Sequence, residues 1–481
     1  MRVERHALRL HDDSAIRDER TTWCANSGEA HVYEQLDRDS LPSQTKLSRH
    51  AGRLLVPTLF LMLLIAACVA YDGFDQYQTD PIVPPDTMVA VSAAYVIESV
   101  NSAAQQIRDK SGNYVTNMAI PLGHCMYAGA DDLRIRYDKI SGRWFGAAFN
   151  TSEWCLSVST TGMPNGTYYQ YSFPATPDSQ TTCNPDFPSI GFSTDKVLLG
   201  GGRCFVVISK AAILAGANPL PSQYFASGSA QVNQHPFAAY SLSTYQHDAF
   251  VASFDFTVNP LQRIRVWRIR GVPGQGSGAS AVFADVVVPG PLPPPVDAVQ
   301  RGTSTQIAMY FVGTRVLDAV FKDGLLWTAS NSGCVPPGDS SRRTCATVLR
   351  IRDLEVDPFQ PHMEGEYQFA ANAGSYTYFP AITIDAAGNL ITVFNRSSAS
   401  EYISVYGSGV HGNTLLATSQ VAIWHSSGPY NQSRFGDISG AAIDPADETT
   451  AWVAAEYVKD VTHFGTLVSQ ASKAICGAQC P

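Results

Sequence analysis

Residues 381–394 read AITIDAAGNLITVF, and the fold turns on this stretch. Ile382 and Ile384 alternate with Ala381 and Thr383, Asp385 and Gly388 interrupt the run, and Ile391 and Val393 resume it. The segment therefore spells strand, tight turn, strand. Asp385 suits the turn because its carboxylate can accept bonds from backbone N–H groups two residues on. Working outward, the same phrase returns as IRYDKISGRWFGAAF around Asp138, GFSTDKVLLGGGRCFVV around Asp195 and YQHDAFVASFDF around Asp248. AVFKDGLLWTAS around Asp323 and GAAIDPADETTAWVAA around Asp444 follow, and MVAVSAAYVIESVN near Ala93 is a first copy without the Asp.

The Asp positions lie 57, 53, 75, 62 and 59 residues apart. A period near sixty is long for a solenoid unit and suits one four-stranded blade with generous loops. A single blade cannot bury both faces, so a ring must close. The expected fold is all-β, a β-propeller of about seven blades, or six if the copy near Ala93 only completes the last one. The longest interval holds VVVPGPLPPPVDAVQ, where proline removes ladder donors, so Pro289 to Val296 reads as an exposed polyproline-like loop between blades.

Composition agrees. Only 16% of the 481 residues are charged, while Gly and Pro total 66 and the aromatics 50, which favours short strands and many turns. The net charge is −9, and residues 1–53 hold nine basic and nine acidic side chains, so the acidic excess lies beyond them. A nucleic-acid surface is not expected. Arg263, Arg265, Arg268 and Arg270 form a local basic run that reads as one solvated strand face.

Residues 54–70, LLVPTLFLMLLIAACVA, carry no charge; Lys46, Arg49 and Arg53 precede them and Asp72, Asp75 and Asp80 follow. That polarity sends everything beyond Tyr71 outside. Three fates stay open: a signal peptide cleaved near Cys68-Val69-Ala70, a bacterial lipoprotein box Ile65-Ala66-Ala67-Cys68 that puts a lipid on Cys68, or a retained anchor. The domain division is a polar extension over 1–53, the hydrophobic segment over 54–71, a linker over 72–85 and the propeller over 86–481. The membrane is met only through that segment or that lipid, and the location is secreted, periplasmic or cell-surface.

Eight of the ten cysteines follow the segment, in four sequence-near pairs: Cys125 with Cys155, Cys183 with Cys204, Cys334 with Cys345, and Cys476 with Cys480. These read as disulfides of an exported chain. No Cys-x-x-Cys and no His at ligand spacing accompany them, so no zinc site is expected.

Three segments carry a family resemblance: YDKISGRWFGAAF followed by CLSVSTTGMPNGTYYQYSF, YTYFPAITIDAAGNLITVFNRSSASEY, and RFGDISGAAIDPADETTAWVAAEY ending in HFGT. Over roughly residues 86–470 the chain resembles the secreted bacterial propellers of the sialidase-like (BNR-type) group, mostly of unassigned activity. The resemblance implies fold and export. It does not imply sialidase activity, because the Arg-Ile-Pro element and complete Asp-boxes are missing. Asp385 with Gly388 and Asp444 with Trp452 are the nearest relics of such boxes.

Propellers bind ligands where blade loops converge over the tunnel. Arg396, Ser397 and Ser398 offer donors for a carboxylate or sulfate, and Arg434 and Asp437 form a second cluster around Gly436. As catalytic candidates, Tyr402 and Glu456 stand about one blade apart and match the tyrosine and carboxylate of sialidase-type glycosidases. No Gly-x-Ser-x-Gly, phosphate loop or repeated tryptophan docking motif is present, so serine hydrolysis, nucleotide binding and a quinone cofactor are not expected. Two functions follow: a recognition propeller that binds an extracellular glycan or protein through tunnel-mouth loops, or a glycoside hydrolase or lyase using Tyr402, Glu456 and Arg396.

Overall fold

The computed structural model describes residues 69–76, 83–101, 105–118, 131–178, 181–227, 235–254, 261–412 and 416–471. The polar extension, most of the hydrophobic segment, Cys68, Cys125, Cys476 and Cys480 lie outside them. Among the described residues no helix is long and apolar enough to cross a membrane.

The first strand, β1 (Ala70–Asp75), leaves the start of the chain to pair elsewhere. Four-stranded meanders follow: β2 (Met88–Val91), β3 (Tyr95–Ser99), β4 (Gln105–Asp109) and β5 (Tyr114–Met118), then β6 (Asp131–Asp138), β7 (Arg143–Asn150), β8 (Glu153–Ser159) and β9 (Tyr168–Pro174). The third meander comprises β10 (Asn184–Phe192), β11 (Lys196–Gly202), β12 (Cys204–Ser209) and β13 (Ser222–Ala226), with the short helix α1 (Lys210–Leu214) ahead of β13. The fourth sheet is β14 (Phe237–Ala238), β16 (Ala249–Phe254), β17 (Leu261–Arg270) and β18 (Ser280–Leu292), and β15 (Tyr240–Ser241) branches from it. Then come β19 (Val316–Lys322), β20 (Leu325–Cys334), β21 (Arg343–Arg352) and β22 (His362–Gln368). β23 (Tyr376–Ile384), β24 (Leu390–Ser398), β25 (Glu401–Val410) and β26 (Val421–His425) form the next sheet. The last consists of β27 (Gly440–Ile443), β28 (Ala451–Val458) and β29 (Phe464–Gln470), completed by β1.

The first strands of successive meanders touch in a closed cycle, β2, β6, β10, β15, β19, β23, β27 and β2 again, so the fold is an all-β propeller. Five four-stranded blades stand as separate sheets, where seven were expected. The third and fifth meanders share one nine-stranded sheet through β15, which pairs in parallel with β10 at Phe192–Tyr240 and with β19 at Tyr240–Val320. Glycine permits this close approach: a Cβ on Gly191 would lie 2.4 Å from the Ala239 carbonyl oxygen, and one on Gly200 2.3 Å from that of Pro236.

Asp72–Asp75, expected as part of the linker over 72–85, belong to a strand of the ring. β1 runs antiparallel to β29, with Ala70 opposite Ser469 and Asp75 opposite Gly465, and the Phe74 amide donates to Thr466 Oγ1 at 2.7 Å. The ring thus closes on residues taken from the boundary of the hydrophobic segment. Pro289 and Pro291 differ from expectation too: they lie on the exposed outer strand β18, where a missing N–H costs no ladder bond. Arg268 departs from its run, being buried with its guanidinium on Asp357, while Arg265 pairs with Asp285 on the other face.

The repeated aspartates sit where the copies predict, between the first two strands of a blade. Asp385 accepts the Asn389 amide at 2.8 Å, Asp444 accepts the Ala446 amide at 3.0 Å, and Asp138 accepts the Ser141 amide at 3.1 Å. In the copy without Asp, Ser92 takes the role, accepting the Tyr95 amide at 3.0 Å. Trp144, Trp327 and Trp452 begin the following strands and are fully buried between blades. Cys183 is bonded to Cys204 and Cys334 to Cys345, and Cys155 is also disulfide-bonded.

Candidate functional site

The starts of the inner strands gather at one mouth of the ring, and four of them carry a residue of positive φ within their first four positions or just ahead of them. These are Asp86 at 47°, Asp132 at 50°, Phe187 at 59° and Phe379 at 56°. Asp132, Phe187 and Phe379 each fall where the strand register slips. Such geometry costs about 1–3 kcal/mol per residue for non-glycine side chains and needs outside support. Side chains reached from other blades supply it. Asn101 Oδ1 accepts the Asp132 amide at 2.8 Å, Asp132 Oδ2 the Phe187 amide at 3.1 Å, and Asn331 Oδ1 the Phe379 amide at 2.8 Å. Asp86 Oδ1 accepts the Asp437 amide at 3.0 Å, and Asn101 Nδ2 donates to Asp86 Oδ2 at 2.8 Å.

This ring of supports concentrates acid. Burial holds the Asp86 carboxyl well above the usual carboxylate range, and the charges of Asp437 and Asp132 push the same way. The Asp132 carboxyl, raised by burial and by the charge of Asp186, stands at about 6, and it shares a hydrogen bond with Asp86. Asp437 is also raised by burial, against the pull of Arg434, with which it is paired. Glu456 on β28 is 1% exposed, and neither carboxyl oxygen has a hydrogen-bond partner of good geometry. Burial drives it far above its ordinary range; the Gly436 backbone amide opposes this and the Asp86 and Asp437 charges add to it.

Below the mouth, the tunnel is filled. Arg136 on β6 donates to Asp318 Oδ1 on β19 at 2.6 Å and to the Ala441 carbonyl of β27 at 3.2 Å. Asp318 Oδ2 accepts the Ile382 amide of β23 at 3.0 Å. Beside them Arg134 donates to the Pro188 carbonyl at 2.9 Å, and burial lowers its guanidinium to about 10. Above, residues 293–315 cross from β18 to β19 as a cap. Its Ala298, Ile307, Met309 and Val312 pack into the same core as Phe379, Tyr430 and Phe435, and Gln300 clasps the Tyr430 backbone in both directions, at 2.7 and 2.9 Å.

The expected site residues do not assemble into one cluster. Arg396 is saturated by a two-pronged pair with Glu401, both bonds 2.9 Å, and by Gln420 and Tyr406. Ser397 is buried, donating to the Val299 carbonyl of the cap at 2.8 Å, and Ser398 bonds Ser400. Tyr402 lies under the Arg301 guanidinium, 4.9 Å from the ring centroid, and no hydrogen bond joins it to Glu456. The tyrosines beside Glu456 are Tyr430 and Tyr378, whose phenols are raised by burial and further by the Glu456 charge. Arg434 and Asp437 do reach the mouth, and Arg434 stacks over Phe311 of the cap at 4.3 Å. Sequence reasoning missed Asp86, Asn101, Asp132, Arg136 and Asp318. The available signal was polar residues placed one to three positions ahead of, or inside, an otherwise apolar inner strand. Among the described residues no group of three His, Cys, Asp or Glu is placed to hold a metal ion.

No family model matches this chain, and no curated protein matches it. Solved structures do. Drosophila Semaphorin 1b, extracellular domains 1–2, aligns with a TM-score of 0.38 at 9% identity over 83% of this chain and 86% of that one. BamB from Moraxella catarrhalis aligns at 0.36 and 9% identity, over 84% and 100%. The Trypanosoma rangeli sialidase in complex with sialic acid aligns at 0.34 and 10% identity, over 76% and 56%. Likeness at this level concerns the fold alone.

Proposed function

We propose that this protein is an exported propeller that recognises another macromolecule, a protein or a carbohydrate, through the face formed by the cap and the mouth of the ring. The nine-stranded sheet is then two blades joined through β15, making seven units. One observation carries the reading: groups suited to reaction are shut in, whereas contact groups lie outside. Glu456 is 1% exposed beneath the cap, while Tyr310 on the cap is 72% exposed, next to Phe311 and the part-exposed Arg434. Tyrosine and arginine in that setting are contact residues of the kind that dominate interfaces. The two disulfides fit an oxidising compartment outside the cytoplasm.

A second reading, a glycosidase, draws on a buried carboxyl, Glu456, whose charge acts on the Tyr430 phenol. The full-length protein, incubated with a broad glycan panel and screened against glycan and extracellular-domain arrays, separates the two. Recognition predicts array hits that weaken in Tyr310→Ala and survive in Glu456→Gln, with no sugar released. Hydrolysis by the parent that disappears in Glu456→Gln overturns the recognition reading in favour of the enzyme.

A further inference from the structure

A second concavity lies away from the mouth, on the flank of the ring. It is formed by β9, the outer strand of its blade, and by the segment that leads from α1 into β13, the outer strand of the next meander. Its volume is about 540 Å³, within the ~300–1,000 Å³ usual for small-ligand sites. Tyr169, Tyr171 and Tyr224 supply aromatic walls, and Asn218 and Ser222 supply an amide and a hydroxyl. Not one lining residue carries a charge.

The walls are preformed. Tyr224 donates its hydroxyl across the groove to the Pro174 carbonyl at 3.1 Å, tying the two blades together. Gly216, at φ 70°, lies so near the Tyr169 ring that a Cβ there would stand 2.5 Å from Cε1, which fixes the plane of that ring. The hydroxyl of Tyr171, screened from water, has no hydrogen-bond partner. A hydroxyl shut off from water is equally shut off from a ligand, so the reachable polar groups of the groove are those of Asn218 and Ser222.

We infer that this flank groove binds a neutral oligosaccharide, of di- or trisaccharide size, independently of the mouth. Aromatic planes take the apolar C–H faces of pyranose rings, and side-chain amides and hydroxyls pair with sugar hydroxyls. A sialylated or sulfated terminus would bury its charge where no counter-charge stands, so acidic sugars are rejected. A proline-rich peptide also favours aromatic grooves, but it would leave the amide and hydroxyl donors of Asn218 and Ser222 largely unused. The inference goes beyond the recognition reading at the cap and mouth by adding a separate site with its own ligand class.

The full-length protein is tested on an array of neutral and sialylated oligosaccharides, and by calorimetric titration with the best neutral hit and with decaproline. The expected result is binding to neutral glycans only, abolished by Tyr169→Ala, weakened about three- to tenfold by Ser222→Ala, and unchanged by Tyr310→Ala. Because Ser222→Ala removes a single exposed oxygen, it keeps the groove testable should Tyr169→Ala fold poorly. Loss of glycan binding in Tyr310→Ala with none in the groove variants overturns this inference and keeps the mouth as the recognition site. No neutral-glycan binding by the parent, a preference for sialylated glycans, or decaproline binding lost in Tyr169→Ala each overturns it as well.

Discussion

Replacing Asp318 by alanine removes the carboxylate that answers Arg136 in the middle of the ring. The pair is closed off from water, with side chains 5% and 3% exposed, and Asp318 also accepts the Ile382 amide. The variant therefore leaves a guanidinium and a backbone N–H without their anion, and breaking a buried pair from one side costs about 3–5 kcal/mol. At ~2.1 cal/mol/K per residue, the unfolding entropy of roughly 360 ordered residues turns that loss into a Tm lowered by about 4–7 °C. The double variant Arg136→Met with Asp318→Leu removes both charges and their desolvation, so it recovers most of the loss. Scanning calorimetry at one heating rate, with the array assay as a check on the mouth, reads both. An Asp318→Ala variant within 1 °C of the parent, or a double variant no better than the single one, refutes the picture of a tunnel sealed by this pair.

Other consequences can be measured in parallel. Glu98 is fully buried at the seam between β3 and the closing strand, where burial raises its carboxyl to about 7 against the pull of hydrogen bonds from Thr466 and Thr87. Its folded pKa exceeds its unfolded one, so its stabilising contribution is complete below about 4.5 and is lost as pH climbs through 7, a swing of about 3 kcal/mol. Glu98→Gln should flatten denaturation midpoints across that window, and an unchanged slope would refute the assignment. Phe74→Asp places a carboxylate at a buried position of β1 and should cost more than about 3 kcal/mol in urea melts; a loss below 1 kcal/mol would show that β1 does not close the ring. Replacing Cys334 and Cys345 by serine frees a loop of 11-residue separation, worth about 3 kcal/mol in the chain-entropy account, and a reducing agent should lower the parent's Tm in the same direction.

The blade repeat was legible because each copy pairs a local device with a local pattern. Asp385, Asp444 and Asp138 bond amides two to four residues ahead, and Trp327 or Trp452 opens the strand that follows. Both features need only a short window of chain. The closing strand was hidden for the opposite reason. Its stretch AYDGFD reads as a turn, since Asp72, Gly73 and Asp75 are turn formers, and its partners begin nearly four hundred residues later. Gly73 is there for contact: a Cβ would lie 2.0 Å from Glu98 Oε2. The fusion of two meanders through β15 was equally invisible, because a two-residue strand pairing on both sides leaves no periodicity to detect.

The site shows where such reading stops. Arg396, Ser397 and Ser398 announce hydrogen-bond capacity but not who uses it. Glu401, Tyr406 and the Val299 carbonyl already do, and Val299 comes from a cap 98 residues away in sequence. Asp86 and Asp132 look like ordinary turn acids until their long-range partners are known. Each holds a backbone amide at or near the start of an inner strand in another blade, and proximity follows from that duty: supports that converge on one mouth bring their carboxyls together. The perturbed acids there are thus accounted for by closure of the ring, without appeal to turnover. Glu456 differs, since no backbone group of good geometry claims its oxygens. That makes Glu456→Gln the decisive substitution at the mouth: if it leaves recognition intact and raises stability at neutral pH, the buried acid is a cost of packing beneath the cap and not a reagent.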